Sequence, residues 1–322
     1  MKKRALILAC AATLLVPQAL ALTIHAFLWT ADGGMQDLGT LGGNSFARGI
    51  NNLGQVVGQS ALADNTTFRA FLWTKSTGMV DLGTPDGPSS SAEAINSQGH
   101  VIGSATKRDG SKTVFWWSPD RGFVVPMPHN QSLTIIAGLN DFDEVIGQGT
   151  GKDGGSHALL WSPLRQQIYD LGTYPFGLFS AGNAINNLHH VAGYGDVGTG
   201  FIFPLQWQRR EGWTLLQPVS GTFGTLPFAN NELDEVVGAG IKTGQPDQPF
   251  YYSGATGTRV LKTLAFGETA RALAINESGV IAGFSLDSAG LGRARYLGAL
   301  QQRPARPWNA LRWDLRRRHG SE

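Results

Sequence analysis

Six glycines recur at a near-constant interval in this 322-residue chain: Gly58, Gly103, Gly147, Gly193, Gly238 and Gly283, with steps of 45, 44, 46, 45 and 45 residues. Each closes a variant of one phrase, first written Ile50-Asn51-Asn52-Leu53-Gly54-Gln55-Val56-Val57-Gly58. A fixed period of this length means one supersecondary unit built repeatedly, each unit burying its apolar face against the next. The period constrains the fold strongly. It says little about chemistry, because residues that recur in every unit are first of all the residues that build it.

The six phrases place asparagine at 51, 96, 140, 186, 231 and 276. A small residue stands two places earlier: Gly49, Ala94, Gly138, Ala184, Ala229 and Ala274. A β-branched residue follows five places later: Val56, Val101, Val145, Val191, Val236 and Ile281. This spacing predicts two short strands joined by an Asn-x-x-Gly turn. Gly54, Gly99 and Gly279 take the last turn position, where a left-handed backbone is expected, and Asp143, His189 and Asp234 replace glycine there. A second phrase alternates with the first. It runs His25-Ala26-Phe27-Leu28-Trp29, then Arg69 to Trp73, Thr113 to Trp117, His157 to Trp161, Pro204 to Trp207 and Pro249 to Tyr252. Asp-Leu-Gly-Thr closes it at 37–40, 81–84 and 170–173. This phrase also reads as a strand pair.

One period therefore carries four short strands, the content of one blade of a β-propeller. Sustained 3.6-residue periodicity, which a helical repeat requires, is missing from the sequence. Small residues beside each asparagine suit a crowded innermost strand, and one large aromatic per repeat suits packing between blades. The chain opens on an aromatic pair (25–40) and its last good phrase is an asparagine pair (270–283). The expected fold is thus an all-β propeller of six four-stranded blades, closed when the N-terminal strands pair beside the C-terminal ones. The alternatives are seven blades, with Arg293-Ala294-Arg295-Tyr296-Leu297 as a degenerate further strand, or an open solenoid.

The ends differ from the body. Lys2-Lys3-Arg4, an apolar run from Ala5 to Val16 and Ala19-Leu20-Ala21 form the three parts of a secretory signal over residues 1–21. The run is too short to span a bilayer and stops at Pro17, so a permanent anchor is disfavoured and no transmembrane segment is expected in the mature chain. A secreted, periplasmic or extracellular location follows. The only cysteine, Cys10, lies inside that signal, which leaves the mature chain without disulfide or thiol chemistry. Eight arginines against two acids follow from Arg293 onward. Without those ends the body holds 15 basic and 22 acidic residues, a net of −7, which disfavours nucleic acid as a partner. The propeller is bounded at 22–292. The basic tail at 293–322 is expected to be disordered, or else the product of a reading-frame slip.

His25-Ala26-Phe27-Leu28-Trp29, Asp37 to Gly43 and Ile50 to Gly58 together resemble the HAF repeat, named for its His-Ala-Phe tripeptide. The resemblance is closest at 25–58 and fades along the chain to 283. The fifth and sixth repeats lose both the His-Ala-Phe start and the Asp-Leu-Gly-Thr phrase. It implies an extracellular bacterial repeat protein of unassigned function and brings no catalytic residues with it.

Several residues could carry chemistry. Asn51, Asn96, Asn140, Asn186, Asn231 and Asn276 would form a ring at one channel mouth and are the candidate binding residues, set against plain turn chemistry. Gln55, His100, Glu144, His190, Glu235 and Val280 follow the turn, and their His/Glu alternation invites a metal reading. Residues on different blades of a ring stand too far apart to share one ion at ~2.1 Å, so no metal and no cofactor are expected. Asn140 to Glu144 lacks the glycine and distal glutamate of a calcium loop. Asp37, Asp81 and Asp170 read as turn residues, and Ser118 and Ser162 sit in Trp-Ser-Pro turns without a nucleophile elbow. The expected function is a monomeric binding module for a protein or glycan. The alternatives are a hydrolase or lyase acting on an extracellular polymer, and a structural surface protein.

Overall fold

The computed structural model describes residues 23–30, 32–126, 131–263, 269–286 and 292–299. Residues 1–22, which hold the expected signal segment, and residues 300–322 of the expected tail lie outside them. The described residues form strands and turns and no helix. β1 (Phe27–Thr30) and β2 (Gly34–Asp37) make a hairpin. Then come β3 (Ser45–Ile50), β4 (Val56–Ala61), β5 (Phe68–Thr74) and β6 (Gly78–Gly83), an antiparallel sheet in chain order. β7 (Ser89–Ile95), β8 (Val101–Thr106), β9 (Lys112–Ser118) and β10 (Gly122–Val124) form the next. β11 (Ser132–Leu139), β12 (Val145–Thr150), β13 (Ser156–Ser162) and β14 (Gln167–Asp170) form the third.

β15 (Ser180–Ile185), β16 (Val191–Asp196), β17 (Ile202–Gln208) and β18 (Gly212–Leu215) repeat the pattern. So do β19 (Gly224–Asn230), β20 (Val236–Ile241), β21 (Gln248–Ser253) and β22 (Gly257–Val260). A single parallel contact, Ile202 opposite Gly224, joins these two sheets at one end. β23 (Ala270–Ile275), β24 (Val280–Leu286) and β25 (Gly292–Ala299) make the last sheet. The sheets are called blades 1 to 6 below.

The periodic glycines have a common cause. In every blade the innermost strand carries a bulge facing the second strand, at 47/49, 92/94, 136/138, 182/184, 227/229 and 272/274. Beside it an inner-strand carbonyl presses onto the partner glycine. A Cβ on Gly58 would meet the Phe46 oxygen at 2.0 Å, and one on Gly147 the Ile135 oxygen at 1.9 Å. The small residues before each asparagine answer to a second crowding, since a Cβ on Gly49 would lie 3.1 Å from the Ala94 Cα of the next blade.

Apolar clusters sit between blades. Ile102, Val114 and Trp116 of blade 2 pack on Leu133, Val145 and Trp161 of blade 3, and Ile146 and Leu160 of blade 3 pack on Val191 and Leu205 of blade 4. Of the periodic aromatics, Trp73 and Trp161 are buried while Trp29 is 62% exposed. The buried serines 45, 90 and 180 tie each outer strand pair to the following inner strand. Ser45 Oγ accepts the Ala26 N–H at 2.8 Å and donates to the Gly39 carbonyl at 2.7 Å; Ser90 and Ser180 do the same for Ala70/Gly83 and Ala158/Gly172.

The expected closing pair is not formed among the described residues. β1 pairs with β2, and among the described residues no strand of 270–283 pairs beside 25–40. The outer edge of β24 is taken by β25, which includes the Arg293–Leu297 strand of the seven-blade alternative. β25 follows β24 after a short connection, whereas β1 must return from the far end of the chain. The shorter loop costs less entropy to close.

Candidate functional site

The six innermost strands end around one open depression of about 360 Å³. Its wall is built from three consecutive positions of the repeat. The residue before each asparagine supplies Ile50, Ile95, Leu139, Ile185, Asn230 and Ile275; the asparagine supplies Asn51, Asn96, Asn140 and Asn186; the residue after it supplies Asn52, Ser97, Asp141, Asn187, Glu232 and Glu277.

Asn51, Asn96, Asn140 and Asn186 are at the mouth, but their polar atoms are already engaged. Oδ1 of Asn140 accepts the N–H groups of Phe142 and Glu144, both at 3.0 Å, which closes the turn. Asn51, Asn96, Asn186, Asn231 and Asn276 repeat this. Nδ2 reaches the next blade. Asn51 donates to the Asn96 carbonyl at 2.9 Å, Asn96 to Asn140 at 3.1 Å, Asn140 to Asn186 at 3.2 Å, Asn186 to Asn231 at 2.9 Å and Asn231 to Asn276 at 3.1 Å. Asparagine suits this place better than aspartate because an amide both accepts and donates. Turn and cross-blade bonds engage these amides, and the charged side chains that border the depression are those one residue later.

These following residues make a second chain of contacts between blades. The N–H of Ser97 donates to Asp141 at 2.9 Å, that of Asp141 to Asn187 at 2.8 Å, that of Asn187 to Glu232 at 2.9 Å and that of Glu232 to Glu277 at 3.2 Å. The depression is lined by Asp141, Glu232 and Glu277 with no lysine or arginine among its lining residues. Burial pushes the Glu277 carboxyl above its usual range, repulsion from Glu232 adds to that, and the Glu232 N–H opposes it. The mouth is a field of negative potential that favours cationic or hydrogen-bond-donating groups.

The His/Glu alternation after the turn proves to be a set of pairs between blades. His100 Nδ1 stands 2.8 Å from Asp143, Glu144 lies 2.6 Å from His189 Nδ1, and His190 Nδ1 stands 2.8 Å from Asp234. Each pair joins the residue after one turn to the left-handed residue of the next, whose φ is 59° at Asp143, 63° at His189 and 58° at Asp234. Where that residue is Gly99, Gln55 fills the space, its Oε1 3.1 Å from where a Cβ would be. Reading each repeat against the turn of the following one would have exposed this matching. Among the described residues no group of three or more His, Cys, Asp or Glu side chains is placed to hold a metal ion. Asn140 to Glu144 forms the same hairpin turn as its counterparts, with Asp143 aimed at blade 2.

The histidine of the His-Ala-Phe tripeptide has a structural partner too. His25 Nδ1 lies 2.7 Å from Asp37 and His157 Nδ1 lies 2.8 Å from Asp170. Asp37, Asp81 and Asp170 each accept the N–H two residues on, from Gly39, Gly83 and Gly172, so all three are turn residues. Burial disfavours the charged form of Asp170, but the N–H groups of Lys152 and Gly172 and the His157 ring outweigh it and hold its carboxyl below the ordinary range. A depressed folded-state value adds stability above the unfolded value of about 3.9, and that stability is lost as pH falls through the folded value. Asp170→Asn is therefore expected to flatten the loss of stability below about pH 4, read as urea midpoints across an acid series. A slope equal to that of the parent chain would count against it.

No helix among the described residues is long and apolar enough to cross a membrane. No family model matches the chain, and no curated protein matches it. Solved structures do match in shape. TolB from Acinetobacter baumannii aligns with a TM-score of 0.50 at 9% identity over 76% of this chain and 64% of that one. A prolyl endopeptidase structure aligns with a TM-score of 0.58 at 8% identity over 86% of this chain and 46% of that one. The chain thus spans less than two thirds of the length of either. The fold is a β-propeller. At such identities the likeness concerns the fold alone, since propellers host unrelated functions.

Proposed function

We propose that this chain is an exported HAF-repeat propeller of six blades that acts as a binding module, with a protein segment or glycan seated at the acidic mouth of its central depression. The observation that carries the reading is the composition of the wall. Every lining residue comes from the same three repeat positions, so the cavity is a product of the scaffold, and among the described residues no separate constellation of acids, histidine and tyrosine lines it. Asp141, Glu232 and Glu277 offer acceptors to ammonium, guanidinium or hydroxyl groups and repel phosphate. The signal over residues 1–21 supports export to the periplasm or beyond, where such ligands are met.

The test uses the full chain on arrays of basic peptides and of neutral and amino glycans. The variant carries Asp141→Asn, Glu232→Gln and Glu277→Gln together. A ligand bound by the parent chain is expected to weaken at least about tenfold in the variant. Equal binding by both chains, or cleavage of an offered polymer, would overturn the reading.

A further inference from the structure

We infer that β25 holds the edge of β24 that β1 is built to take, and that the ring closes by exchange of one strand for the other. The inference rests on the six-blade reading and is independent of what the mouth binds.

Five observations meet at the seam between blade 6 and blade 1. First, the β1–β2 hairpin already docks on blade 1 as β5–β6 dock on blade 2. Ala26, Leu28 and Leu38 cover Val56, Phe71 and Trp73, just as Ala70, Leu72 and Leu82 cover Val101, Phe115 and Trp117. The same serine tie fastens both. The hairpin is thus the outer half of a blade lacking its inner half. Second, its far side is open. Phe27 is 52% and Trp29 62% exposed, while their counterparts Phe71 and Trp73 are 0% and 5% exposed. Third, Asn276 donates to no sixth carbonyl among the described residues, although the five other asparagines each reach the next blade. Fourth, a Cβ on Gly54 would meet nothing within 4 Å, whereas one on Gly99 would meet Gln55 of the preceding blade.

Fifth, β25 fits its place poorly. The pairs β4–β5, β8–β9, β12–β13, β16–β17 and β20–β21 run without a register shift, but β24–β25 slips between Ile281 and Ala282. Arg293-Ala294-Arg295-Tyr296-Leu297 is a degraded version of the phrase that β1 carries intact. In the register of the other blades Gly283 would face Phe27 and Ser285 would face His25, in place of Arg295 and Arg293. Exchange would cover Phe27 and Trp29, give Asn276 the Asn51 carbonyl and remove the free edge of β1.

The native chain has no cysteine after Cys10, so paired cysteines report the two pairings in the full-length protein. His25→Cys with Ser285→Cys captures the closed ring; Ser285→Cys with Arg293→Cys captures the open one. Adding Ala294→Pro and Arg295→Pro to the first pair removes ladder donors of both parities from β25. The expected result is a 25–285 disulfide within one molecule, formed about fivefold faster with the prolines, the equivalent of ~1 kcal/mol. A 25–285 bond that forms equally fast with and without the prolines overturns the exchange and leaves the six-blade ring standing. Absence of that bond in both chains, or its formation only between molecules, while the 285–293 pair closes within the molecule, overturns both.

Discussion

Replacing Gly147 with alanine is expected to destabilise the protein by about 3 kcal/mol or more, although the change adds one methyl group and leaves every side-chain contact intact. The added carbon would stand 1.9 Å from the Ile135 carbonyl oxygen. That oxygen belongs to a bulged backbone pinned on one side by β12 and on the other by the neighbouring inner strands, so it cannot retreat cheaply. The urea midpoint checks this, with an unchanged m-value showing that native stability alone has moved. Gly254→Ala is the control. A Cβ there would meet nothing within 4 Å, and the shift should stay within about 0.5 kcal/mol. Equal effects at 147 and 254 would refute the account of the glycine period as a record of one recurrent bulge.

The second large effect is expected at Asp143. Its Oδ1 accepts from Asn96 Nδ2 at 3.1 Å, from His100 Nδ1 at 2.8 Å and from Trp116 Nε1 at 3.1 Å, all three on the preceding blade. The residue is 5% exposed. Asp143→Ala leaves three donors without their acceptor, at a cost of about 3 kcal/mol, and puts a Cβ residue without polar compensation at a φ of 59°. Asp143→Gly relieves the backbone and leaves the donors. Adding His100→Gln recreates the pairing that Gln55 and Gly99 use one blade earlier, and should recover about 1 kcal/mol relative to the sum of the single changes. A double-mutant cycle measures this coupling. Simple additivity would mean that the His/Asp matching is incidental.

Much of the fold is legible in the chain because each unit is local and is written six times. The Asn-x-x-Gly turn needs only its own five residues, so the asparagines and the left-handed positions at Gly54, Gly99, Asp143, His189, Asp234 and Gly279 can all be placed from spacing, and all have positive φ where expected. The small residue before each asparagine could likewise be assigned to a crowded inner strand. The glycine period was legible as a beat but not as a bulge. A one-residue slip in strand pairing is invisible to a pattern of period two until both strands are aligned.

The site was legible only in part. Asn51, Asn96, Asn140 and Asn186 line the depression while Asn231 and Asn276 do not, and the amides of those four serve the turn and the next blade. The side chains that set the charge of the mouth are Asp141, Glu232 and Glu277, which vary between repeats and so carry no periodic signal. His100, Glu144 and His190 looked like a dispersed alternation because each was compared with its own counterparts. Their partners Asp143, His189 and Asp234 lie in the next repeat, 43 to 45 residues on.

By itself the sequence determined the unit: four strands, two kinds of strand pair, the turn chemistry, the crowded inner-strand position before each asparagine, and a six-fold count of asparagine pairs. These follow from short-range sterics and hydrogen bonding, which repetition makes unmistakable. Only the tertiary structure decided which residues meet across blades and which strand lies on β24. Radial packing sets a residue after one turn against the turn of its neighbour, a relation of geometry rather than of pattern. The edge of β24 is held by β25, and a strand that follows after a short connection loses less entropy on closing than the return of the chain's far end.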